Sequence, residues 1–246
     1  MTSFEEPEIL LTTDRGLGLI TLNRPKAINS LTHGIVLSMS HALTEWAADP
    51  SIVAVVIRGA GERGLCAGGD LRMMYPSATG NGAPALAFWA DEYRLNAQIG
   101  RYPKPYVAVM DGLVMGGGVG ISSHGSVRIV TEHSKIGMPE VSIGLFPDVG
   151  GTFLLAHAPG QLGVHLGLTG APVSGADAIH CGLADYFVPR ERLVALEEAL
   201  QTGAPSNAMA CLAVEPPPST LAAQAEWINR CYEGDSVEVI LERLEA

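Results

Sequence analysis

Residues Leu17–Ile57, LGLITLNRPKAINSLTHGIVLSMSHALTEWAADPSIVAVVI, decide the fold class. Leu17–Leu22 is a short strand-length run. Glu8–Thr12 before it is another, and Asp14-Arg15-Gly16 between them is a hairpin turn. From Thr32 the apolar positions Ile35, Met39, Leu43, Trp46 and Ala47 recur with a helical period. Thr32 is placed to cap that helix and Asp49-Pro50 to stop it. Ile52–Ile57 is then a continuous apolar run of strand length, which suits a strand buried on both faces. Strand, helix and strand in this order make a parallel crossover unit. The predicted class is α/β.

The pattern continues outward with variations. Gly64-Leu65-Cys66-Ala67-Gly68-Gly69-Asp70 is a glycine-rich loop, and Gly80-Asn81-Gly82-Ala83-Pro84 is a second loop. The helix that follows is predicted to turn Leu86, Trp89, Ala90, Tyr93 and Ala97 to one face. Tyr106–Met110 is another buried strand. It runs into Gly116-Gly117-Gly118-Val119-Gly120, where a helix opens. Val127–Thr131 and Ser134–Met138 are short strands. Beyond Gly150 the signals are helical, except at Asp185–Val188, and Pro216-Pro217-Pro218 is a stiff break before two short amphipathic helices. The expected organisation is an α/β core over residues 1–190 and a helical C-terminal arm over 191–246.

Composition narrows the function classes. Glycine supplies 29 of 246 residues, an excess over the roughly 7% of average usage, and hydrophobic residues make up 47%. That apolar content excludes a disordered chain. The net charge of −11 provides no global positive field, so nucleic acid is not an expected partner. No apolar run approaches the ~20 residues of a membrane span. Cys66, Cys181, Cys211 and Cys231 lie far apart with no CxxC pair, and the opening MTSFEEPEIL lacks the basic and apolar stretches of an export signal. A reduced, cytoplasmic setting is the expectation. Seven histidines show no HExxH or paired spacing, so no metal is predicted. Nothing fits GxGxxG or GxxxxGK[ST]. Ser122 does not sit in a nucleophile elbow, because GxSxG would need glycine at His124.

Three segments carry chemistry. Ala67-Gly68-Gly69-Asp70 and Gly116-Gly117-Gly118 each follow a buried strand, and in open α/β sheets ligands bind beyond the carboxyl ends of strands. Glycine there permits positive φ and lets main-chain N–H groups approach a ligand. One N–H from each loop would form an oxyanion hole for a carbonyl gaining negative charge. The plainer reading of either loop alone is a tight turn with close helix–strand packing. The third segment is Met138–Gly151, where Glu140 and Asp148 sit among apolar residues. Such surroundings raise a carboxyl pKa, and two acids in one pocket separate into base and acid. Asp148 is equally placed to cap a helix starting near Gly150.

Taken together, Cys66–Asp70, Met115–Gly118 and Met138–Gly151, with Leu22-Asn23-Arg24-Pro25-Lys26-Ala27-Ile28-Asn29, resemble the crotonase (enoyl-CoA hydratase/isomerase) superfamily from about residue 8 to the C-terminus. The resemblance implies a ββα spiral core, an acyl-CoA thioester substrate and an oxyanion hole from the Gly69 and Gly117 N–H groups. It implies CoA contacts at Lys26 and Ala27 and at Ala67, Gly68, Asp70 and Leu71. Coenzyme A enters as part of the substrate, and no separate cofactor is implied. Hydratases of the superfamily carry two glutamates. The second matches Glu140, but the first falls on Gly120, which has no side chain. Gly116–Gly120, Pro139-Glu140 and Gly144–Gly151 instead resemble the 3-hydroxyisobutyryl-CoA hydrolase branch, as do Cys66–Asp70 and Lys104–Ala108. That branch implies valine breakdown, with Glu140 and Asp148 as the acid pair. Its members continue past the point where this chain stops, with further helices that close the acyl pocket and help pack a homotrimer. An enoyl-CoA hydratase or isomerase using Glu140 alone is the first alternative, and a non-catalytic acyl-CoA-binding protein is the second. Phe88, Trp89 and Tyr93 suit an acyl pocket, though core packing is the plainer role.

Overall fold

A computed structural model describes residues 6–246. Strands β1 (Ile9–Asp14) and β2 (Leu17–Leu22) pair antiparallel with Asp14 opposite Leu17. Arg15 and Gly16 join them with φ of 45° and 84°. Two positive φ values mark the primed turn whose twist matches its flanking strands. Helix α1 (His33–Ala48) starts as expected, with the Thr32 hydroxyl accepting from the Ile35 N–H. It returns the chain to β3 (Ala54–Gly59), which pairs parallel to β2.

Helices α2 (Leu71–Ala78) and α3 (Ala83–Gly100) follow, then β4 (Tyr106–Met110), β5 (Leu113–Met115) and the single turn α4 (Gly117–Gly120). Next come β6 (Val127–Val130), β7 (Lys135–Gly137), α5 (Gly151–Ala156), α6 (Leu162–Thr169), β8 (Val173–Ser174), α7 (Gly175–His180) and β9 (Tyr186–Phe187). Helices α8 (Leu193–Thr202), α9 (Pro205–Leu212), α10 (Thr220–Tyr232) and α11 (Val237–Glu245) close the chain. The main sheet has the order β1-β2-β3-β4-β6-β9, parallel beyond β2, and β5-β7-β8 form a second, small sheet.

The central strands β3 and β4 are buried on both faces, as their unbroken apolar runs require, whereas the edge strand β1 is largely exposed. Val55 and Ile57 pack into one core with α1 and α3, while Ala54 and Val56 pack into another with Leu196, Leu200 and Met209 of α8 and α9. The C-terminal helices therefore divide: α8 and α9 cover one sheet face, and α10 contributes Leu221, Ile228 and Tyr232 to the opposite core. Asp177 fastens α10, accepting from the Ser219 hydroxyl at 2.7 Å and the Leu221 N–H at 2.9 Å.

Two expectations need correction. Helix α2 was not anticipated. It is eight residues long with Pro76 inside it, and its start is fixed by Asp70, whose carboxylate accepts from the Arg72 N–H. On α3 the buried stripe is Ala85, Phe88, Glu92, Leu95, Asn96 and Ile99. The predicted face is turned outward: Leu86 is 63% and Tyr93 42% exposed, and only Trp89 is partly covered. The stripe carries two polar residues because it packs against glycines, as the site makes clear.

Candidate active site

Each glycine loop reaches the site through strand-like pairing. The loop after β3 is held by bridges from Cys66 to Val114 and from Leu31 to Gly69, while β5 runs directly into Gly116 and Gly117. The loops meet closely. A side-chain carbon on Gly68 would lie 3.0 Å from the Met115 carbonyl oxygen, and one on Gly117 would lie 3.4 Å from the Gly69 nitrogen. Among the described residues neither the Gly69 nor the Gly117 N–H donates to a protein acceptor. Two main-chain donors thus converge on the wall of a cavity of about 430 Å³.

Three carboxyl groups share that cavity, one more than expected. Glu140 stands on a 3-10 turn, Pro139–Ile143, that opens with proline. It is buried, its Oε2 has no partner, and its Oε1 lies where a side chain on Gly116 would approach to 2.6 Å. Asp148 accepts from the Tyr93 hydroxyl at 2.8 Å. It does not cap α5: that helix starts at Gly150 without a side-chain cap. Glu92, from α3, is 2% exposed and has an unpartnered Oε1 set against the bare Cα of Gly117. Leu71, Met74, Trp89 and Leu145 supply apolar walls, and among the described residues no Lys, Arg or His lines the cavity.

Desolvation without a compensating cation favours the neutral acid. Burial pushes Glu92 up to about 8, with the charges of Asp148 and Glu140 adding to it. Burial likewise lifts Glu140 to about 7, against its own main-chain hydrogen bond, and Asp148 contributes. Asp148 is raised by burial and partly held down by the Tyr93 hydroxyl. At neutral pH the cavity therefore holds a protonated Glu92 beside a Glu140 poised between its two states.

Gly120 is not an empty space awaiting an acid. A side-chain carbon there would lie 2.6 Å from Val149 Cβ and 2.9 Å from Asn96 Nδ2. Ser122 is buried, with its hydroxyl committed to the Gly118 carbonyl.

A second cavity, of about 470 Å³, shares Ala67, Gly69 and Leu71 with the first. Lys26, Ala27 and Asp70 line it, together with Arg24, Arg63 and Arg72. Asp70 takes a positional role. Burial raises its pKa, but the Arg24 guanidinium at 2.7 Å and the Arg72 N–H more than offset this and hold it below the usual carboxylate range. Gly68 lines the first cavity only. Of the three aromatic candidates, Phe88 is core, Trp89 lines the cavity, and Tyr93 partners Asp148. Glu92 was overlooked because α3 was phased on its apolar residues; Phe88, Glu92, Leu95 and Ile99 form an equally helical stripe that carries the signal.

The family model described as Enoyl-CoA hydratase/isomerase matches residues 17–246. The chain belongs to that family. The α/β core with its C-terminal helices is that family's crotonase fold. The 3-hydroxyisobutyryl-CoA hydrolase, mitochondrial, of Xenopus tropicalis is 41% identical over 98% of this chain and 65% of its own length. A crystal structure of a carnitinyl-CoA dehydratase from Mycobacterium thermoresistibile superposes with a TM-score of 0.96 at 56% identity, over 98% of this chain and 71% of that one. An enoyl-CoA hydratase from Rhodobacter sphaeroides gives 0.92 at 44%, over 98% and 70%. The chain thus spans about two thirds of the length of the curated relative. Among the described residues no helix is long and apolar enough to cross a membrane, and no group of three or more His, Cys, Asp or Glu could hold a metal ion.

Proposed function

We propose that this family member hydrolyses a short-chain acyl-CoA thioester, with 3-hydroxyisobutyryl-CoA of valine breakdown as the foremost substrate. The observation that carries the reading is the placement of Glu140 across from two unengaged main-chain N–H groups in a cavity without cations. The thioester oxygen accepts from the Gly69 and Gly117 N–H groups, which stabilise it as negative charge develops. A Glu140 oxygen adds to the carbonyl carbon, or removes a proton from a water that adds there. Collapse of the tetrahedral species breaks the carbon–sulfur bond, and CoA leaves as thiolate. On the first route water then cleaves the glutamyl anhydride. Either way one water is consumed, and a carboxylic acid and a thiol result. Asp148 orients the substrate hydroxyl or the water, and neutral Glu92 supplies a donor on the same wall. No cofactor beyond the CoA of the substrate takes part.

The second cavity supports the CoA end. Lys26, Arg63 and Arg72 present positive charge around Ala27, and Ala67 to Leu71 lead from there to the oxyanion wall. The curated relative named as a 3-hydroxyisobutyryl-CoA hydrolase points to the same substrate. It is named mitochondrial, whereas we expect a cytoplasmic protein; four free thiols fit a reducing setting, and cell fractionation distinguishes the two addresses. A homotrimer is part of the proposal through the family resemblance, with sedimentation as its measure.

A second reading, an enoyl-CoA hydratase or isomerase, is favoured by the titles of the two solved relatives. The packing of Val149 against Gly120 weighs against hydration, because the first hydratase acid has neither a side chain nor room. A thiol-release screen over hydroxylated and unsaturated short acyl-CoAs separates the readings. Thiol release from 3-hydroxyisobutyryl-CoA is expected. Loss of enoyl absorbance from crotonyl-CoA without thiol release would replace it with the second reading. Binding with neither signal would leave a non-catalytic acyl-CoA-binding protein.

A further inference from the structure

Val149 has φ of 45°, an outlier for a β-branched residue, and Gly150 follows at 77°. Such strained backbone persists only where its surroundings over-determine it, and it clusters at functional sites. Three contacts do so here. The Val149 carbonyl accepts a hydrogen bond from His124 Nε2 at 2.8 Å, which makes Nε2 the protonated ring nitrogen. The Nε2–Cε1 edge of the His124 ring lies against Gly150, where a side-chain carbon would come within 2.6 Å of Nε2. The Val149 side chain is 2% exposed and packs onto Gly120. Asp148 immediately precedes this turn, and its carboxylate meets the Tyr93 hydroxyl at the cavity wall.

We infer that the left-handed turn at Val149–Gly150, clamped by His124 and seated on the bare Cα of Gly120, aims the Asp148 carboxylate into the cavity, so that Gly120 is a positioning residue. This rests on the reading of Asp148 as part of the hydrolytic site. A carbon at position 120 would collide with Val149 Cβ, which is fixed to the backbone and cannot swing aside. The Asn96 amide, the other close neighbour, is the far end of a side chain and gives way. The collision is relieved only by moving the Val149 backbone, and that turns Asp148 with it. The glycine that removes a hydratase acid and the valine that follows the hydrolase aspartate are thus one packing unit.

The test compares Gly120→Ala with Gly120→Ala/Val149→Gly. Two readouts are taken: kcat and KM for thiol release, and the carbon-13 titration of carboxyl-labelled aspartate, assigned with Asp148→Asn. Gly120→Ala is expected to lower kcat on the order of 10²-fold, the scale of an ångström-sized misplacement, with KM little changed. The Asp148 titration should fall toward that of an exposed aspartate. Removing the valine side chain frees the space and suits positive φ, so the double variant should recover most of both signals. Wild-type kcat and titration in Gly120→Ala would overturn the inference. So would a kcat loss in both variants with the Asp148 titration unmoved. If Gly120→Ala does not fold, His124→Gln takes its place: a lowered Asp148 titration supports the clamp, and an unchanged one overturns it. Full thiol release by Asp148→Asn would sink the catalytic reading alone, because the titration still decides whether Gly120 and His124 hold the carboxylate.

Discussion

The two cavities that meet at Ala67, Gly69 and Leu71 handle charge in opposite ways. In one, Glu92 and Glu140 are buried and Asp148 half-buried, with no Lys, Arg or His among the described lining residues, and all three carboxyl groups are harder to ionise than usual. In the other, Arg24, Lys26, Arg63 and Arg72 gather at an accessible rim, with Arg24 held by Asp70 and Glu8. The first tunes protons through desolvation, and the second attracts an anion through charge that solvent screens. A net charge of −11 averages over both and describes neither. For the proposed CoA thioester, with a polyphosphate end and a thioester end, what matters is how sign and burial are partitioned between the two cavities.

The largest effect expected from that partition is at Glu140. Glu140→Gln removes the carboxylate to which the proposed reaction assigns attack or deprotonation. Thiol release should fall roughly 10²–10⁴-fold while isothermal titration finds binding of a CoA ester nearly unchanged. Hydrolysis at the wild-type rate would break the comparison on its acidic side. Next in size is the pH profile of kcat. Activity should rise through about pH 7 as Glu140 loses its proton, and fall above about pH 8 as Glu92 ionises and adds charge beside it. Glu92→Gln should abolish the alkaline limb, and its survival in that variant would remove Glu92 from the account.

On the basic side the changes are smaller. Lys26→Glu or Arg72→Glu should raise KM roughly two- to tenfold with kcat unchanged, and added salt should blunt the difference. A kcat loss with constant KM would show that the two cavities are not divided in this way. The smallest effect concerns stability. The folded chain keeps the Glu92 proton to about pH 8, whereas an unfolded glutamate releases it near about 4.3. Folding stability therefore falls as pH rises across that interval. Glu92→Gln should leave Tm unchanged near pH 4 and raise it by several degrees at pH 8. A lower Tm at pH 8 would mean that Glu92 is a structural acid.

Much of this was legible in the chain itself, where local rules act within a few residues. The Asp14–Gly16 turn, the Thr32 cap and the apolar run of β3 each follow from short-range chemistry, and the structure has them in place. The glycine loops and Glu140 were also readable, because glycine pairs and a lone acid among apolar residues stand out. What escaped depends on which elements face each other. Helix α3 presents Leu86 and Tyr93 outward and turns Glu92 and Asn96 inward, because its neighbour α4 offers glycine at 117 and 120. The periodicity within α3 accommodates either stripe and does not choose between them. Helix α2 was hidden by Pro76 and by its brevity, and the capping role of Asp70 shows only once Leu71–Ala78 is seen to be helical. The basic cluster brings Arg24 and Lys26, beyond β2, beside Arg63 and Arg72, beyond its parallel neighbour β3, a closeness that linear order conceals.

The donors that face the cavity from Gly69 and Gly117 belong to the peptide backbone. Every amino acid except proline carries that group, so ordinary point mutation crowds or tilts the donors but does not delete them. In the proposed reaction, the half of the site that holds the thioester oxygen is inherited with the chain trace. The acids around it are side chains, each open to replacement one codon at a time. Substitution at positions 92, 140 or 148 therefore changes the acids of the cavity while leaving both main-chain donors in place.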